Sequence, residues 1–538
     1  MQKLLRANKW VKYVFITVSG VLTCLPLMLD SLGFLQWITM SLGAAALLLL
    51  ARDESVGYGA MYKYGFVYFL SFYLTAFCWF VSLYPLSFID GVTELEAAVV
   101  VACGWIGLSL LQTIFSALWA VVLAVACRRG LCKEKKWLTP ILAAASYVIF
   151  EWAQTLTWAG VPWARLAIGQ TGSPVMIKSA ALLGSYLISF LIVLVNFLIA
   201  ELLLSDSKKQ KKTLACAAAI VIAANASVGA LMIALDTEKG ESFTAAAVQP
   251  NISSHEKWSN DSTVIKERVE KYVIEAANAG AELVVLPETV FPGELLDKPG
   301  LRQFVCSLAT DYELDMVVGC FTIDGAESKN SMIFIDKEGN ISDVIYSKRH
   351  LVPFGEYVPM REVITALIPP LAELTMFEDL SPGKDSSVYG GRFGNIGALV
   401  CFDSIYEQLT LDSVRDGAQI IVLGTNDSWF YDSAGVRMHN AQARLRAVES
   451  GRCVIRAANT GISSVIDHNG RELDREEALV EGFAIAEVYS RSTTTLYSCV
   501  GNVIIWLSMI FLTVCIFGYK CKQKMKKALT FSDQNAIM

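Results

Sequence analysis

Apolar residues along this chain follow two regimes. Long runs occupy 11–29, 32–50, 65–86, 97–127, 137–154, 180–204 and 213–235, and a last one lies at 497–518. A helix needs roughly 20 mostly apolar residues to cross a bilayer, so these eight runs are predicted membrane helices. The fourth is long enough to tilt or break. The fifth is the weakest, because it runs into Glu151 and Gln154. The first is followed at once by another apolar run and not by a small-residue cleavage site, so it is predicted to be a retained helix and not a signal peptide.

Between 236 and 496 the period shortens. Segments 243–249, 282–287, 316–322, 331–336, 396–401, 418–424, 453–457, 463–467 and 483–488 are short, β-rich and bounded by Gly, Asp or Asn, which predicts strands. Helical patterns lie near 262–279, 300–311, 404–416 and 436–450. The alternation predicts an α/β domain with buried sheets. The expected organisation is a seven-helix membrane domain at 1–236, a soluble domain at 237–492, and a last helix with a basic tail at 493–538.

Composition agrees with this division. Of 538 residues, 54% are hydrophobic and only 18% charged, against about 25% in an average soluble protein. The net charge of -6, with no extended basic face, argues against nucleic acid as a partner. The loops carry an orientation signal. The N-terminus carries Lys3, Arg6, Lys9 and Lys12; Arg52 and Lys63, RRGLCKEKK at 128–136, KKQKK at 208–212 and five lysines from Lys520 to Lys527 mark every second connection after the first helix. The loop SFIDGVTELE at 87–96 is acidic. Basic loops face the cytoplasm, so both termini are expected there and the soluble domain on the outer side.

Thirteen cysteines include no CxxC, and the four histidines show no metal-ligand spacing, so neither a structural metal nor a cofactor is expected. On the outer side an unpaired thiol calls for a reason. Cys306, Cys320 and Cys453 could pair there. Cys401 ends GALVC, a buried-strand pattern, and the carboxyl ends of such strands are where α/β folds place chemistry. Glu288 follows VVLP in the same way, and Lys348 stands in YSKRHLVPFGEYVP. A free thiol with pKa about 8.5 is mostly protonated at neutral pH. A glutamate can take its proton, and a lysine can stabilise first the thiolate and then the oxyanion formed on an attacked carbonyl. Each residue alone has a plainer reading: a packed cysteine, a helix-capping glutamate, a solvated lysine beside Arg349.

Together, VVLPET at 284–289, SKRHLVPFGEYVP at 347–359, GALVCFDS at 397–404 and TNDSWF at 425–430 resemble the nitrilase superfamily, whose members use a Glu-Lys-Cys triad on an αββα sandwich. More narrowly, with EWAQTLTWAGVPWARLAIGQ at 151–170 and its Gly-x-Pro-Trp core, nearly the whole chain resembles the apolipoprotein N-acyltransferase family of bacterial inner membranes. That resemblance implies an extracytoplasmic, periplasmic-side catalytic domain. It implies a membrane phospholipid as acyl donor and a diacylglyceryl-modified apolipoprotein as acceptor. Carried across, Cys401 matches the nucleophile, Glu288 the general base, Lys348 the oxyanion-stabilising lysine and Glu356 a second essential glutamate. Trp258 and Asn330 match residues of substrate handling. Where the family commonly has Tyr-Glu after the nucleophile, this chain has Phe402-Asp403. Both are retained as substrate-binding candidates, without the tyrosine oxygen and with a shorter acidic arm.

Other features have two readings each. Trp152, Trp158 and Trp163 fit an interfacial aromatic belt or a lipid entrance. Segment 360–380 is core or a flap toward the bilayer. Arg444, Arg446, Arg452 and Arg456 fit structural ion pairs or headgroup contacts. Two other functions stay open from the residues: a membrane-tethered amidase with the same triad, and a transporter or receptor with a ligand-binding outer domain. The scarcity of intramembrane charge weighs against the latter.

Overall fold

The computed structural model describes residues 8–86, 91–238, 240–252, 257, 262–367 and 379–517. Trp258, the 368–378 stretch of the expected flap and the basic tail lie outside the described residues.

Among these residues six helical stretches are long and apolar enough to cross a membrane: Trp10–Met28, Asp30–Arg52, Tyr58–Leu83, Glu94–Arg129, Ser185–Leu204 and Lys208–Leu235. The predicted fourth helix is broken, as Glu94–Ser116 and Leu118–Arg129. Thr93 starts it with a capping box, its hydroxyl facing the Glu96 amide while the Glu96 carboxylate accepts from the Thr93 amide. The predicted fifth is only Thr139–Ala153, 15 residues. The sixth starts later than expected, because Gly184, at φ +79°, separates Ala180–Leu183 from Ser185–Leu204. The last apolar helix is described over Val503–Phe517. The chain is a multi-pass membrane protein carrying an α/β sandwich.

The sandwich has twelve strands: β1 (Ser242–Gln249), β2 (Leu283–Val285), β3 (Asp315–Asp324), β4 (Glu327–Ile335), β5 (Ile341–Ser347), β6 (Val388–Gly391), β7 (Gly394–Val400), β8 (Ile420–Thr425), β9 (Val454–Ala458), β10 (Ser463–Ile466), β11 (Glu472–Glu476) and β12 (Gly482–Tyr489). They form two six-stranded sheets, in the orders β12-β1-β2-β3-β4-β5 and β11-β10-β9-β8-β7-β6. Parallel pairing at β1-β2-β3 and β7-β8-β9 points several carboxyl ends the same way.

Side chains of a strand alternate between faces, and that period sets the layers. Ala245 and Ala247 of β1, Ile396, Ala398 and Val400 of β7, and Val422 of β8 meet between the sheets. Ala246 and Val248 turn outward onto the helices Ser262–Asn278 and Pro299–Asp311. On the other side Leu399, Ile421 and Leu423 face a different layer. They join Met438, Leu445 and Val448 of the helix Ala434–Ser450 in a core continuous with the membrane helices. Every residue of that helix except Arg437 is buried, because it is packed from both sides.

Charged groups pin this junction. Arg165 donates to Glu407 Oε2 at 2.8 Å and to Ser185 Oγ at 2.8 Å, and Tyr186 donates to Glu407 Oε1 at 2.9 Å. Arg446 pairs with Glu449 at 2.7 Å, and Glu449 accepts from the Ser185 amide. Arg444 reaches Asp30 at 3.3 Å. Arg452 donates to the carbonyls of Ala418 and Thr493, and Arg456 pairs with Asp427 at 2.6 Å. The four arginines therefore occupy structural positions. The aromatic belt reading fails for Trp163, which is buried beneath the sandwich. Trp158 is exposed, and Trp152 meets Trp506 of the last helix at 6.1 Å.

Candidate active site

Three strand ends and one loop build the site. Glu288 follows β2 and is wedged between β3 and β8. Two glycines allow this: a Cβ on Gly319 would lie 2.3 Å from Pro287 O and 2.7 Å from Glu288 Cα, and one on Gly424 would lie 3.2 Å from the Glu288 amide. The buried Glu288 carboxylate accepts from Asn330 Nδ2 at 2.6 Å and Lys348 Nζ at 3.3 Å on Oε1, and from the Asn426 amide at 2.7 Å on Oε2.

Lys348 leaves the end of β5 and is 1% exposed. Its ammonium also donates to Glu356 Oε1 at 2.9 Å. Burial opposes the charge, but Glu288 and Glu356 outweigh it and hold the ammonium pKa well above its usual value. Glu356 accepts in addition from Asn330 Nδ2 at 3.1 Å and from the Val352 amide at 2.8 Å. One lysine and one asparagine thus sit between two carboxylates, and both carboxylates are fixed in place.

Cys401 follows β7 directly and begins a short 3-10 turn, Cys401–Ile405, at φ +47°. A non-glycine residue in this region stores of order 1–3 kcal/mol of strain and persists only where its surroundings over-determine it. The turn places the thiol where it feels both members of the Glu288–Lys348 pair. Burial and the Glu288 charge push the thiol pKa far up, against the pull of Lys348. The resting thiol is therefore protonated and needs a base, and Glu288 is the carboxylate whose charge bears most on it.

Of the sequence-predicted residues, Glu288, Asn330, Lys348, Glu356 and Cys401 are brought together. Asp403 is not on the surface offered to a substrate. It is fully buried, and it accepts from Tyr346 Oη at 2.8 Å and from the amides of His350 (2.8 Å), Val400 (3.2 Å) and Arg349 (3.3 Å). Burial pushes its carboxyl up to about 6, against those hydrogen bonds and Lys348. It ties the Lys348 loop to the Cys401 turn. Phe402 is partly buried, edge-on to Tyr406 at 5.5 Å.

Sequence reasoning passed over Asp427, His439 and Lys257. Asp427 lies inside the TNDSWF motif, which was the available signal. It accepts from Thr425 Oγ1 at 3.0 Å, His439 Nδ1 at 2.8 Å and Arg456 at 2.6 Å. Despite burial, Arg456 and His439 hold it well below the usual carboxylate range. Atoms of Cys401, Asp427 and His439 lie within 4.8 Å of one another, yet a cation there would have to displace the Arg456 guanidinium. Lys257 is buried, its Nζ 2.6 Å from Thr289 Oγ1, and burial pulls it down to about 8 against the opposing charge of Glu288. All described cysteines are free, Cys306, Cys320 and Cys453 included.

Comparison with known proteins fits this geometry. Residues 19–198 match the apolipoprotein N-acyltransferase N-terminal domain, and 244–496 match the carbon-nitrogen hydrolase family. The chain is 30% identical over 518 residues to the apolipoprotein N-acyltransferase of Geobacter metallireducens, covering 92% of each. The chain belongs to the apolipoprotein N-acyltransferase family. It is also 33% identical to the enzyme of that name from Allorhizobium ampelinum, over 68% of this chain and 73% of the relative. The Saccharomyces cerevisiae protein Nit3, of the nitrilase superfamily, aligns at 21% identity and a TM-score of 0.38, over 49% of this chain and 96% of its own. As a member of the family, the chain is an acyltransferase, with its hydrolase-type sandwich set on membrane helices.

Proposed function

We propose that this apolipoprotein N-acyltransferase works through Cys401, with Glu288 as base and Lys348 as oxyanion donor. The division of labour follows: 1–236 and 493–538 hold the chain in the membrane, and 237–492 carries the chemistry on the periplasmic side, with both termini in the cytoplasm. The alternation of basic and acidic loops supports that orientation.

In the first half-reaction Glu288 takes the thiol proton and Cys401 sulfur attacks the ester carbonyl of a membrane phospholipid. Lys348 faces the oxyanion, the lysophospholipid leaves with the proton, and an S-acyl cysteine remains. In the second, the α-amino group of a diacylglyceryl-cysteine on an apolipoprotein attacks the thioester. Glu288 takes the amine proton and returns it to the departing thiol. Both substrates are lipid-anchored and do not leave the bilayer readily, which gives the membrane-packed face of the second sheet its purpose. Met360 and Val363, exposed at the start of the 360–380 segment, are the candidates for acyl-chain contact, with Phe402 and Asn330 as further substrate-binding candidates.

The observation that carries this reading is the convergence of Glu288 and Lys348 on a strained, disulfide-free Cys401. Purified protein incubated with labelled phospholipid is expected to acquire a hydroxylamine-sensitive label. Absence of label on the wild type, or its survival in Cys401→Ser, defeats the assignment. Topology has an equally direct check: a membrane-impermeant thiol reagent applied to spheroplasts should reach Cys499, exposed beside the sandwich, without permeabilisation.

A further inference from the structure

The nucleophile's turn is held from two sides. Asp403 ties it to the Lys348 loop. On the opposite side stands His439, from the helix Ala434–Ser450, buried among groups that the mechanism above does not use.

His439 Nε2 lies 3.2 Å from the carbonyl oxygen of Cys401 and 3.0 Å from Ser404 Oγ, which itself donates to that carbonyl at 2.8 Å. Its Nδ1 faces Asp427 Oδ1 at 2.8 Å and Arg456 at 3.3 Å. The ring plane is set by aromatic neighbours. Trp163, from the GVPW segment between membrane helices, lies 5.4 Å away, and Phe430 is edge-on at 6.3 Å. Trp163 is itself fixed. Gln442, one turn along the helix from His439, donates to its carbonyl at 3.1 Å, and Trp79 packs on it at 5.3 Å. Trp79 also meets Phe430 at 4.7 Å.

We infer that His439 is a positioning residue for the nucleophile, locking the strained Cys401 turn to Trp163 of the membrane domain. The inference rests on Cys401 being the nucleophile. The physical need is clear from the backbone: a positive φ at Cys401 relaxes unless several contacts oppose it. Displacement of the sulfur by about 1 Å is enough to lower an attack rate about 100-fold. The GVPW segment, on this inference, helps aim the thiol, and membrane packing becomes part of the active site's rigidity.

The test is single-turnover S-acylation of the full-length protein by labelled phospholipid. His439→Phe keeps a ring against Trp163 and removes both nitrogens. Its acylation rate is expected to fall about 100-fold, with the half-saturating phospholipid concentration near wild type. Trp163→Leu is expected to slow the same step, Trp163→Phe to restore most of the rate, and the His439→Phe/Trp163→Leu double variant to be no slower than the slower single one. Wild-type rate in His439→Phe overturns the inference, as does a Trp163→Leu effect confined to half-saturation. If His439→Phe does not fold, Trp163→Leu decides alone, and an unchanged rate overturns it. A wild type that takes no label defeats the Cys401 mechanism itself, and so separates the two failures.

Discussion

Lys348 Nζ stands 2.9 Å from Glu356 Oε1 and also touches the proposed base, Glu288, at 3.3 Å. One buried cation is therefore shared between the buried Glu288 carboxylate and the partly buried Glu356 carboxylate. Removing one member of a buried ionic group leaves the others uncompensated, typically at a loss of about 3–5 kcal/mol. Lys348→Met is expected to lose acyl-adduct formation by at least about 10²–10³-fold and to melt earlier. Adduct formation and a thermal melt on the same preparation check both.

Glu356→Gln separates roles. The substituted amide would still accept from the Val352 backbone N–H but would bring no charge to Lys348. Adduct formation is expected to survive at a reduced rate, since Glu288 still fills the base position. Equal loss in Glu356→Gln and Glu288→Gln would make Glu356 a partner in the proton transfer.

Gly319 leaves no room for a side chain. Its Cβ would press on the backbone at Pro287 and Glu288, so Gly319→Ala is expected to move the base and lower the acylation rate about 100-fold. A wild-type rate in this variant means that the Glu288 segment shifts without consequence for the chemistry.

Asp403 answers the question raised by the Phe402-Asp403 pair. Four donors converge on its short carboxylate, so Asp403→Asn places an amide NH2 against one of them, at a loss of about 1–3 kcal/mol. Asp403→Glu, which restores the family's usual residue, must find room for one more methylene in a fully buried site, and it is expected to be destabilising in this chain. Chemical denaturation of the three proteins ranks them.

Glu407 supplies the pH dependence of the junction. Burial opposes its charge, but Arg165 and Arg446 outweigh it and bring the carboxyl down to about 2 from 4.5. A carboxylate with a lowered folded pKa contributes its stability fully above the unfolded value and loses it as pH falls through the folded value. Glu407→Gln should therefore lower the melting temperature above about pH 4.5, with the difference shrinking as the pH falls toward 2. A pH-independent difference would point to packing and not to charge.

The sequence was readable where period and burial agree. Nine of the strands were expected from their apolar runs; eight of them lie inside their sheets, and the ninth, β12, is a partly buried edge strand. The three that were missed, β5, β6 and β11, are edge strands with mixed or alternating exposure. An edge strand covers one face at most and carries no continuous apolar run. The membrane helices were legible for the same reason, because hydrocarbon demands long apolar stretches. The fourth run's length foreshadowed a tilt or break, but its place at Ala117 and the break at Gly184 were not legible, since these depend on packing against neighbours.

By itself, the sequence determined a membrane-anchored α/β enzyme and singled out Glu288, Lys348, Glu356 and Cys401 as candidates, because residue type, apolar period and motif are local properties. Only the tertiary structure decided that these side chains meet, that Asp403 is a buried tie, and that His439 and Trp163 stand behind Cys401. Those relationships join residues up to hundreds of positions apart. They are set by which strands pair and which faces bury, and no local pattern encodes that.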